Sequence, residues 1–71
     1  MTQITELEKF ILPLGQQQVE LQEIVHAEGA MPMLRMRIRE GKRFTIFDID
    51  PVTAAAIAGA MQRWAAAQHK G

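Results

Sequence analysis

Residues Leu34 to Pro51 read LRMRIREGKRFTIFDIDP: two strand-like runs joined by a turn and closed by a helix start. In the first six residues apolar and basic side chains alternate without a break. Side chains on a strand point to opposite faces with period two, so Leu34, Met36 and Ile38 share one face and Arg35, Arg37 and Arg39 the other. A helix would scatter the arginines around its axis. Phe44 to Ile49 is rich in β-branched and aromatic residues, which suits a second strand. Between the runs, Gly41 supplies the positive φ that a tight hairpin needs. Two registers are open. A two-residue Glu40-Gly41 loop pairs Ile38 with Arg43 and Met36 with Thr45. A three-residue loop, with Gly41 as the left-handed residue of a bulge, pairs Met36 with Phe44 and Leu34 with Ile46. The second sets like against like and is the one expected. It places Arg43 with the other arginines, and Met33 and Phe47 toward one end.

The stretch ends on Asp50-Pro51. An Asp carboxylate accepts the orphan N–H groups of a first helical turn, and Pro at the first helical position loses no hydrogen bond there. A helix over residues 51–68 follows. Ala54, Ile57, Ala58, Met61, Trp64 and Ala65 recur at helical spacing and are expected to face the sheet. From Pro51 to Met61 there is no charged residue, and Ala55, Ala56, Gly59 and Ala60 make a second smooth face. A helix apolar all round is buried on more than one side. A small sheet covers only one, so a second copy is expected on the other, and the chain reads as a homodimer.

Upstream, Val19 to His26 is open between strand and helix. Glutamine and glutamate favour helix, but a strand closes well on the arginine run. With Ala27-Glu28-Gly29-Ala30 as the turn, Leu21 meets Met36, Val19 meets Ile38, Glu20 meets Arg37 and Ile24 meets Met33. Strand is therefore expected. Phe10 to Gly15 is apolar and broken by Pro13, which suits an edge strand or a covering arm. Residues 1–9 are polar and expected to be frayed, with at most a helical turn through Glu6 to Lys9.

These elements make one small domain over residues 1–71, with a frayed 1–9, a sheet over 10–50 and a helix over 51–68. The fold class is α+β: an antiparallel meander of three to four strands, then one C-terminal helix packed on one sheet face. A chain of 71 residues buries a thin core and is marginal alone. It has no cysteine, so no disulfide framework is available and a cytoplasmic setting is expected. The uncharged apolar run Ala54 to Met61 is far shorter than the ~20 residues of a membrane span. The N-terminal residues lack the basic and apolar regions of a signal peptide.

No motif carries chemistry. The chain has neither serine nor cysteine, and Thr2, Thr5, Thr45 and Thr53 have no adjacent base. His26 and His69 lack ligand spacing. Asp48 and Asp50 lack a third ligand, and Asp50 serves as the helix cap. The glycines form no phosphate-binding spacing. No catalytic, metal-binding or cofactor-binding residue is assigned, no cofactor is expected and the chain is not read as an enzyme. Net charge is zero, but five of eight basic residues fall between Arg35 and Arg43 and five of eight acids before residue 29. Arg35, Arg37, Arg39 and Arg43, with Phe47 to stack on, could hold a single nucleic-acid strand or a partner. A solvated face is the plainer reading, because a nucleic-acid groove carries net basic charge and more than one aromatic. The expected function is a non-catalytic protein-interaction module, homodimeric, with an unidentified protein partner and no membrane. A weak single-stranded nucleic-acid binder is the alternative.

In element order, residues 17–68 resemble the small single-stranded-DNA-binding fold of positive cofactor four. The basic alternation of Leu34 to Arg39 and the strand-to-helix run Phe44 to Val52 carry the resemblance. It implies a homodimer and the nucleic-acid alternative. The run RFTIFDIDP before an Ala-rich helix also resembles a small uncharacterised bacterial domain family.

Overall fold

The computed structural model describes residues 1–69. Four strands, β1 (Gln3–Ile11), β2 (Gln18–Val25), β3 (Met33–Glu40) and β4 (Arg43–Ile49), precede one helix, α1 (Pro51–Gln68). The strands form a single antiparallel meander in chain order, and α1 contacts β3. The class is α+β, as the alternating and helical patterns imply.

The β2–β3 register has Leu21 opposite Met36, Val19 opposite Ile38, Glu20 opposite Arg37 and Ile24 opposite Met33. All four are the expected pairs. The turn closes with the Ala30 N–H donating to the Ala27 carbonyl, and Gly29 has φ +80°. Asp50 caps α1 as expected, accepting from the Thr53 N–H at 3.0 Å.

Three expectations are corrected. First, residues 3–9 are not frayed but belong to β1, so the sheet starts at Gln3 rather than residue 10. The register shifts between Glu6 and Glu8. The extra residue at this bulge, Leu7, breaks the period-two pattern by which a strand is recognised. Pro13 lies in the connection beyond the end of β1.

Second, the β3–β4 turn is Gly41-Lys42. Glu40 pairs with Arg43, Met36 with Phe47 and Leu34 with Ile49. Neither register weighed from sequence is the one adopted. Gly41 has φ +61° and is the only turn residue with positive φ, which suits a two-residue turn with glycine at its first central position. A Cβ on Gly41 would meet nothing within 4 Å, so only the backbone resists substitution. Gly41→Ala is expected to destabilise by about 1–2 kcal/mol, read as a lower urea midpoint with unchanged slope.

Third, Ile57, Met61 and Trp64 do not settle on their own sheet; they are 37%, 61% and 70% exposed. Asp50 is the only residue between β4 and α1. Strand-to-helix connections that fold back usually take two to six residues. With one residue, its carboxylate spent on the cap and Pro51 fixing φ, the helix leaves the sheet instead of crossing it. Contact stays near the helix start, where Pro51 and Ala54 share a recess with Leu7, Met33 and Leu34.

The result is a flat molecule, 48 × 30 × 15 Å. Its radius of gyration is 14.3 Å, against about 11 Å for a compact chain of this length. Ile24 is the only buried hydrophobic residue among those described.

Candidate functional site

Residues opposite one another in an antiparallel sheet share a face, so the register sorts the side chains. One face carries Glu20, Gln22, Arg35, Arg37, Arg39 and Asp48 among the apolar Ile4, Ile24, Met33, Phe44 and Ile46, and its charges are largely matched. The Arg35 guanidinium grips Asp48 with two hydrogen bonds, Nε to Oδ1 at 2.8 Å and Nη2 to Oδ2 at 3.1 Å. His26 Nε2 lies 3.5 Å from the same carboxylate. Between β2 and the edge strand β1, Gln22 Nε2 donates to Glu6 Oε1 at 2.6 Å. Arg37 Nη1 donates to Glu20 Oε1 at 3.0 Å. Arg37 also lies over the Phe44 ring, 4.5 Å from its centre, with Arg39 at 5.9 Å. Arg39 Nε donates to the Gly41 carbonyl.

The candidate surface is therefore divided. Arg35, Arg37 and Arg39 lie together, but Arg43 pairs with Glu40 and shares its parity with Phe47 on the opposite face. The aromatic beside the arginines is Phe44. The sequence reading missed this because β4 carries apolar residues on both parities, Phe44 and Ile46 on one, Phe47 and Ile49 on the other. With Arg35 and Arg37 matched to acids, a short single strand is expected to show no binding at low salt in a fluorescence titration. A charge-driven complex would instead bind there and weaken steeply as salt rises.

The hydrogen bonds from Arg35 hold the Asp48 carboxyl below its ordinary pKa of 3.8, and those from Thr53 lower Asp50 in the same way. A carboxyl depressed on folding stabilises the protein above its ordinary pKa. That contribution is lost as pH falls through the depressed value. The urea midpoint is therefore expected to fall below about pH 4. Asp48→Asn is expected to be less stable at pH 7, with a shallower decline into acid.

The other face is apolar at its centre and carries Glu8, Glu23, Glu40, Arg43 and Thr45 around it. Val19, Leu21, Leu34, Met36, Ile38 and Phe47 share it by register, and Phe47 is 40% exposed. On α1, Ala55, Ala56 and Ala60 are exposed. Gly59 is partly covered, with Arg63 Nη1 3.2 Å from where a Cβ would stand. Among the described residues no group of three or more His, Cys, Asp or Glu could hold a metal ion. No described helix is long and apolar enough to cross a membrane.

A family model described as a family of unknown function, DUF6967, matches residues 1–67. The chain belongs to this family. The DUF6967 match takes in all four strands and nearly all of α1, so the family unit is the meander together with its projecting helix. Neither a curated protein nor a solved structure matches this DUF6967 chain.

Proposed function

We propose that this DUF6967 chain is a small non-catalytic protein-interaction module of the cytoplasm that works as a homodimer and presents its charged sheet face to a protein partner. One observation carries the reading: a single copy leaves its apolar surface open. Its accessible area is 5769 Å², whereas a compact monomer of 8.0 kDa has about 4,500 Å². The excess, about 1,300 Å² per chain, is what an obligate dimer buries from each partner. Monomers seldom leave contiguous apolar patches of more than a few hundred Å² in water. The charged face, with its ion pairs already made, stays in solvent and is the surface left for a partner.

The single-stranded nucleic-acid alternative is not favoured, because Arg35 and Arg37 are matched by acids and Arg35, Arg37 and Arg39 lie across the sheet from Phe47. The cytoplasmic setting rests on the cysteine-free composition. Light scattering at tens of micromolar tests the assembly. Twice the chain mass supports the homodimer, and a chain-sized particle removes it.

A further inference from the structure

We propose that the two copies exchange their helices: α1 of each chain lies across the apolar sheet face of the other. The inference rests on the homodimer reading and specifies its geometry. A helix stripe and a sheet face are the two halves of a standard packed layer; in this chain the stripe is exposed and the sheet face only half-covered. Ile57, Met61 and Trp64, spaced i, i+4, i+7, form the stripe. Leu21, Met36, Ile38 and Phe47 form the centre of the sheet face.

The two halves do not meet within one chain, since the single residue between β4 and α1 sends the helix outward. They do match in size. At 1.5 Å per residue an 18-residue helix spans about 27 Å, and an eight-residue strand about 26 Å. The stripe itself, Ile57 to Trp64, spans about 10 Å and covers the middle of β2 and β3.

Two-fold symmetry makes the contact reciprocal, so one operation covers both sheet faces and both stripes. The alternative, helix against helix through Ala55, Ala56, Gly59 and Ala60, leaves both sheet faces in water. Exchange covers the stripe and the sheet face together, and helix pairing covers the helix alone. The projecting helix is also preorganised. Pro51 fixes φ and Asp50 holds the first turn, so little backbone freedom is lost on assembly.

An isotope-filtered NOE experiment on the unaltered protein tests this. Carbon-13-labelled and unlabelled chains are unfolded together and refolded as a mixture. Exchange predicts contacts between chains from the Trp64 indole and the Met61 methyl to the side chains of Leu21, Met36 and Ile38. A dimer whose inter-chain contacts join only α1 to α1 overturns the exchange and leaves the homodimer standing. A chain-sized particle in light scattering overturns both.

Discussion

A hundredfold dilution, from about 100 to about 1 μM, is expected to lower Tm by about 9 °C. When folding requires association, dilution favours the separated, unfolded chains. A hundredfold step removes about 2.7 kcal/mol per dimer at 25 °C. Two chains of this length unfold with an entropy of about 0.3 kcal/mol/K, and the ratio gives the shift. A self-sufficient monomer would melt at the same temperature throughout. The chain has one tryptophan, Trp64, and it lies on the proposed contact. Its fluorescence is expected to shift to the red as the dimer separates, giving a second readout on the same samples.

Trp64→Ala makes the sharper distinction. In the isolated chain Trp64 is 70% exposed, and exposed substitutions usually change stability by about 0.5 kcal/mol or less. Placed on a partner's sheet, the indole is an anchoring aromatic, and truncating one costs about 2–4 kcal/mol. A two-fold dimer contains two of them, so the dissociation constant is expected to rise at least about a thousandfold. Gln62→Ala, on the same exposed helix but off the stripe, is the matched control and is expected to leave the constant unchanged. Sedimentation velocity over a dilution series measures both. Equal constants for the two variants would remove Trp64 from the interface.

What could be read from the amino acids alone followed from how many independent constraints met at a residue. The β2–β3 pairing was legible because Glu20 with Arg37 and Leu21 with Met36 agree on opposite faces at once. The helix start was legible because Asp50, Pro51 and the uncharged run after them all point to one boundary. The β3–β4 pairing was not, since matching hydrophobic partners cannot choose between two parities that both carry aromatic residues. The turn decided it, and Gly41 as the first of two central residues outweighed the better-looking match of Met36 with Phe44. The first strand was hidden by one additional residue, Leu7, which puts its halves out of phase. The candidate surface inherited the register error. Arg43 and Phe47 were grouped with arginines that lie across the sheet from them. The sheet face proposed to receive the partner's helix was visible only in part, because its members come from three strands whose alignment had first to be known.

The kink at Leu7 also bears on how growth of the assembly stops. An outermost strand with free N–H and carbonyl groups invites another strand to dock alongside, and a chain this rich in uncovered oily side chains would polymerise into ribbons. On β1, the misfit between Glu6 and Glu8 and the charges of Glu6, Glu8 and Lys9 spoil that invitation. The protein can then join a sister through the flat of its sheet while refusing one at its β1 border, which closes one of the two edges along which a ribbon would grow.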